Sequence, residues 1–183
     1  MLAGAGLENT EPMSESIFWV HGTSLVTETY EHVFEDGRYG WGADVSVLPG
    51  KDSWFHLPIP IAVPAESAGV DIREVYVRFH AEAGSLRSVH IYDGSTKVHE
   101  FNDLHREGEF RTDITSQNTF SLPRPHTLRS GLGISLWFIA SSGFDTEIPP
   151  SRFIVASAGA QAQVIDERRL ADAVQCRGMV NGG

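Results

Sequence analysis

The sequence predicts an all-β protein, a single antiparallel β-sandwich of jelly-roll-like form, with a short C-terminal segment that is helical or disordered. Three observations carry this. Period-2 runs of aromatic and branched residues recur along most of the chain. Clusters of Gly, Pro, Asp and Ser separate them at short intervals. No helical periodicity lies between the runs, which argues against an alternating α/β fold.

The strand runs are 16–21, 24–34, 53–61, 70–80, 86–92, 96–101, 132–140 and 152–164. Turn signals stand between them: "EDGRYGWG" at 35–42, "LPGKD" at 48–52, "AEAGS" at 81–85, "YDGST" at 92–96 and "SSGFDTEIPP" at 141–150. The gap at 102–131 holds a further short strand near Glu109–Arg111 or Thr119–Leu122. Residues 1–14 read as a tail, 15–165 as the sandwich and 166–183 as a second tail. In that second tail "IDERRLADAVQC" has Asp166 as a helix N-cap, with Leu170 and Val174 on one face.

The run "DSWFHLPIPIAVP" alternates like a strand yet contains three prolines. Phe55, Leu57, Ile59 and Ile61 share one face; Trp54, His56, Pro58 and Pro60 share the other. Backbone donors alternate sideways as well, so Pro58 and Pro60 delete donors on one lateral side. That suits an edge strand and resists pairing with a second molecule.

With 14 basic and 24 acidic residues the net charge is -10, which disfavours nucleic acid and anionic membrane surfaces as partners. No segment has the roughly 20 apolar residues of a membrane helix. No signal peptide is legible at the start, so the default location is cytoplasmic. Cys176 is the single cysteine, which excludes an internal disulfide and reads as an inert thiol. No cofactor or metal is expected. No HExxH or H-x-H occurs, and His99, Asp103 and His105 form the nearest cluster. G-x-S-x-G and glycine-rich nucleotide loops are also absent. In "GLGISLWFIA" the glycines suit close backbone approach or bending. The small residues of "IVASAGAQA" leave room for a bulky neighbour such as Trp137, or for a ligand.

If the runs 70–80 and 86–92 pair as a meander, Tyr76, Arg78, His80, His90 and Tyr92 make one polar and aromatic patch. Such a patch binds a polar ligand through aromatic platforms and an Arg anchor, or is simply the solvated face of a sheet. His21 shares a face with Trp19, and His56 with Trp54. A histidine beside an indole serves as a general acid or base near neutral pH, or packs against it with a backbone carbonyl as partner.

"FWVHGT" (18–23), "WFHLPIPIAVP" (54–64), "VHIYDG" (89–94), "GLGISL" (131–136) and "FIVASAGA" (153–160) together resemble a family of small bacterial and fungal proteins of unknown function. The resemblance implies an all-β sandwich and no established activity. It places His21, His56 and His90, inside the matching stretches, first among the candidate catalytic residues. Trp19, Trp54, Tyr76, Arg78, His80 and Tyr92 follow as substrate-binding candidates.

The functional expectation is a small-molecule pocket. If catalytic, it works as a cofactor-independent cyclase or isomerase of specialised metabolism, with a histidine or tyrosine moving a proton. The alternatives are a non-catalytic carbohydrate- or ligand-binding module, supported by exposure of Tyr39 and Trp41, or an oligomerising structural protein. A homo-oligomer is compatible with each.

Overall fold

The structure, a computed structural model, describes residues 15–62, 69–142 and 150–165. It is an all-β antiparallel sandwich, made by one sheet curled on itself. The strands are β1 (Glu15–His21), β2 (Val26–Thr27), β3 (Val33–Tyr39), β4 (Gly42–Val47), β5 (Asp52–Ile59), β6 (Gly69–Asp93), β7 (Thr96–Phe101), β8 (Arg106–Glu109), β9 (Thr119–Leu128), β10 (Leu132–Ala140) and β11 (Ser151–Ile165). Along the main path the order is β2-β5-β10-β6-β11-β4-β3; β1 joins β11, and β7, β8 and β9 join β6. The C-terminal helical expectation, 166–183, lies outside the described residues.

β6 organises the sheet. Its first half pairs with β11 and β9, and its second half with β10 and β7. This corrects the sequence reading, in which "AEAGS" is a turn between two strands. Ala83 has φ 53, and the chain bends there without leaving the sheet. The Ala83 carbonyl accepts from the Ser141 N–H (2.9 Å) and from the Ser151 hydroxyl, so the bend is held by the residue that follows β10 and by the first residue of β11. The halves of β6 therefore do not form a meander.

Other departures have equally local causes. The 24–34 run is broken by 3-10 turns at Gly22–Ser24 and Tyr30–His32, leaving Val26–Thr27 extended as β2 and Val33 and Phe34 as the start of β3. The glycine-rich "EDGRYGWG" is mostly strand β3, with Gly40-Trp41 as a two-residue turn into β4. In β4, which sequence reading missed, Ala43, Val45 and Val47 are fully buried in alternation. β9 runs past Leu122 to Leu128; its Pro123 and Pro125 fall within the register shift between Ile72 and Glu74, where no ladder donor is needed.

β5 behaves as its prolines require. Phe55, Leu57, Ile59 and Ile61 are all buried. The Glu28 N–H donates to the Trp54 carbonyl at 2.9 Å, so even-numbered residues of β5 aim their backbone groups away from β10. Pro58 thus lacks its donor on the outer side, where β2 covers only Phe55 and His56. The core closes across the layers through Phe153 of β11, whose ring meets Phe138 at 4.7 Å and Phe55 at 5.5 Å. Among the described residues no helix is long and apolar enough to cross a membrane.

Candidate functional site

Register builds the site. On the outward face of β5-β10-β6, His56 lies opposite Ser135, and Ser135 opposite His90. Glu100 of β7 continues the row beyond His90. One step along, Pro58, Gly133 and Tyr92 make a second row; one step back, Trp54, Trp137 and Ser88 make a third. The middle strand carries small side chains between large ones. His56 and His90 stand two strand spacings apart, roughly 10 Å between Cα atoms, and Ser135 and Gly133 leave a trough between them.

The trough has two lobes. The larger, about 450 Å³, runs over Gly131 and Gly133 between Val26 and Pro58 on one side and Tyr92 on the other. The smaller, about 270 Å³, is bounded by Glu28, Trp54, His90 and Lys97. His56, Ser135 and Tyr92 line both. A Cβ added at Gly133 would meet only the Tyr92 Cβ, at 3.8 Å, so the space above the floor is open. The turn leading into the floor is tied down by Asp93. Its carboxylate accepts the N–H groups of Arg129 (2.9 Å), Ser130 (2.8 Å) and Gly131 (3.2 Å), and His126 Nε2 lies 3.2 Å away. Burial pushes the Asp93 acid up, but these hydrogen bonds outweigh it and leave it below its ordinary value.

His56 is held at both nitrogens. Its Nε2 is 2.8 Å from Glu28 Oε2 and its Nδ1 2.9 Å from Ser135 Oγ. A carboxylate accepts only, so the neutral ring carries its proton on Nε2. Its basic Nδ1 then accepts from the Ser135 hydroxyl. His90 lies against Trp54 at 4.6 Å, and its Nε2 is 3.2 Å from Asn102 Oδ1 and 3.7 Å from Glu100 Oε2. Trp54 also stacks on Trp137 (5.9 Å, 15°), whose indole N–H donates to Asp52 at 2.8 Å. The Lys97 ammonium pairs with Glu100, which raises the lysine and lowers the carboxylate from their ordinary values.

Of the sequence-predicted site residues, Trp54, His56, His90 and Tyr92 come together here. The others do not line the trough. Arg78 lies 4.9 Å over the Trp19 ring, and Tyr76 sits 5.8 Å from it. The Tyr76 hydroxyl donates to Glu74 (2.8 Å); burial and that carboxylate raise its acid well above the ordinary phenol. The small residues of β11 serve this cluster: Gly159 takes the Trp19 ring, where the sequence suggested Trp137. His80 lies 3.4 Å from Glu109 and 3.7 Å from Glu82. His21 accepts the Thr23 N–H at 3.3 Å and caps the turn after β1. The single patch fails because Tyr76 and Tyr92 sit toward opposite ends of one strand that rises roughly 3.3 Å per residue.

Sequence reading missed Glu28, Ser135, Gly133 and Lys97. One signal was present: Gly131, Gly133, Ser135 and Trp137 share a parity, an outward stripe of three small residues ended by an indole. Among the described residues no group of three or more His, Cys, Asp or Glu is arranged to hold a metal ion.

No curated protein matches the chain. Among solved structures, an exo-β-1,3-galactanase from Phanerochaete chrysosporium, with galactose, is 13% identical at a TM-score of 0.34. That similarity covers 79% of this chain and 29% of the galactanase, so the chain spans under a third of that protein. A CBM35 from Paenibacillus barcinonensis is 18% identical at a TM-score of 0.29, over 80% of this chain and 97% of that one. The model of a family of unknown function, DUF6623, matches residues 13–152, and the chain belongs to that family.

Proposed function

We propose that the protein binds a small organic molecule in the two-lobed trough and that His56 exchanges a proton with it. The apolar body of the ligand lies over Gly131 and Gly133. The group that gains or loses a proton sits at the His56–Ser135–His90 row. The observation that supports this is His56 itself: a base fixed between Glu28 and Ser135 where the two lobes meet. An imidazole oriented by a carboxylate is the arrangement general-base catalysis uses. Proton transfer of this kind needs only the protein's own groups and fits an isomerase or cyclase.

Native mass spectrometry of the purified chain tests the binding, by seeking a co-purified molecule of fixed mass. Gly133→Phe fills the trough and is expected to abolish that mass while thermal unfolding stays unchanged. His56→Gln is expected to retain the ligand and lose its conversion. Equal retention of the molecule by Gly133→Phe would refute the assignment.

A second reading rests on a different place. Tyr39 and Trp41, at the β3–β4 turn, stack at 5.0 Å and 8° and stay 42% and 46% exposed. Paired aromatic faces open to water suit a sugar ring. A glycan array compared with Trp41→Ala decides it: binding lost in the variant supports a carbohydrate module, and no binding by the parent chain removes it.

A further inference from the structure

We propose that Ser135 is a nucleophile and that the trough carries out acyl transfer on an ester or thioester. This rests on the trough as the ligand site and names whose proton His56 moves. Glu28, His56 and Ser135 come from a loop and two strands, yet form one hydrogen-bonded line of 2.8 and 2.9 Å. Carboxylate, imidazole and hydroxyl in this sequence define a nucleophile, a base and an orienting group. A serine facing outward from a mid-strand position is ordinarily solvated. Ser135 is instead only 8% exposed, because the His56 and His90 side chains flank it on both neighbouring strands. Its hydroxyl is engaged by an imidazole, and both lobes reach it. The parts sit on sheet positions fixed by register, and Asp93 holds the turn at one end of the floor, so the geometry is preorganised.

The chemistry closes on these groups with water. Ser135 Oγ attacks the carbonyl carbon as its proton passes to His56 Nδ1, and Glu28 stabilises the resulting imidazolium through Nε2–H. Lys97, whose ammonium also pairs with Glu100, and Tyr92 line the same lobe and would supply donors to the developing oxyanion. Collapse breaks the bond to the alcohol or thiol, which leaves with the proton from Nδ1. Water then attacks the acyl-serine, again giving its proton to His56. The serine oxygen departs, recovers that proton, and a carboxylic acid is released. The larger lobe, over its glycine floor, accepts an unbranched or flat apolar acyl group, and Pro58 and Tyr92 limit its width.

A fluorophosphonate probe on the full chain tests this, read by intact mass and peptide mapping. One adduct on Ser135 is expected. Its rate of formation should fall about 100-fold or more in His56→Gln and roughly tenfold in Glu28→Gln, the range that general-base loss produces. Glu28 is a positioning residue, so Glu28→Asp is expected to recover part of the rate, which a merely structural role would not predict. No adduct on Ser135, or an unchanged rate in His56→Gln, overturns the proposal. Should a variant fail to fold, Ser135→Cys in a Cys176→Ser background decides the question. Its introduced thiol is expected to react with iodoacetamide faster than the same chain carrying His56→Gln, and equal rates overturn the proposal. The trough stands or falls separately: a co-purified ligand lost in Gly133→Phe with no serine adduct leaves binding intact and removes acyl transfer.

Discussion

Replacing Asp93 with alanine tests whether the trough floor is held as described. The carboxylate is 8% exposed and accepts three backbone N–H groups, with His126 as a fourth partner. A hydrogen bond to a charged group contributes about 1.5–3 kcal/mol when its partner stays dry. Arg129 and Ser130 are exposed, so water replaces part of what is lost. The expected cost is therefore about 3 kcal/mol, below the sum of the separate bonds. For a chain of this size that lowers Tm by roughly 6–12 °C. Urea unfolding followed by tryptophan fluorescence measures it. Asp93→Asn, which keeps one acceptor, is expected to cost about half as much. The acid of Asp93 is lowered on folding, so its stabilisation is present above the ordinary aspartate value and lost as pH falls through the lower folded value. The gap between the parent chain and Asp93→Asn should thus hold steady from about pH 5 to 8 and narrow below about pH 4. A cost under about 1 kcal/mol, or a gap indifferent to acid, would refute the reasoning.

Three further outcomes follow from the geometry. Gly159→Val places a Cβ 2.7 Å from Trp19 Cε3 and 2.9 Å from the Phe18 carbonyl, so β1 must shift; a loss of about 1–3 kcal/mol in chemical denaturation is expected. Pro58→Thr with Pro60→Thr restores donors to the open side of β5. Light scattering should then report dimers or larger species, whereas the parent proline pair suppresses edge pairing. In an alkaline absorbance titration of the four tyrosines, Tyr76 should ionise last, and Glu74→Gln should bring it part of the way back towards the others, since burial remains.

What the sequence revealed depended on whether the signal was a side chain present or one missing. β5 was legible in full, because Phe55 to Ile61 alternate and the prolines mark the outer side. His56, His90, Trp54 and Tyr92 were legible because large polar and aromatic residues at even spacing stand out on a strand. Glu28 was not, since it comes from a short irregular segment positioned by contacts distant in sequence, among them the Trp54 carbonyl and the His56 ring. Gly131, Gly133 and Ser135 act by leaving space, and periodicity weighs what fills a face. The bend at Ala83 misled most. Gly and Ser after two alanines read as a hairpin, whereas bonds from Ser141 and Ser151, distant in sequence, keep the strand continuous.

The position of β6 has a bearing on how the molecule comes into being. Every strand that flanks it, β7 to β11, follows it in the chain. Among the described strands β1 pairs with β11, which also secures β4. During translation, then, twenty-five residues of mostly apolar strand emerge with both edges bare, and one edge of the Gly69–Glu82 half waits for β11. Non-local pairings of this kind assemble slowly. A nascent chain halted before Ser151 is expected to remain protease-sensitive and to engage chaperones, with protection arriving in one step once β11 has cleared the ribosome.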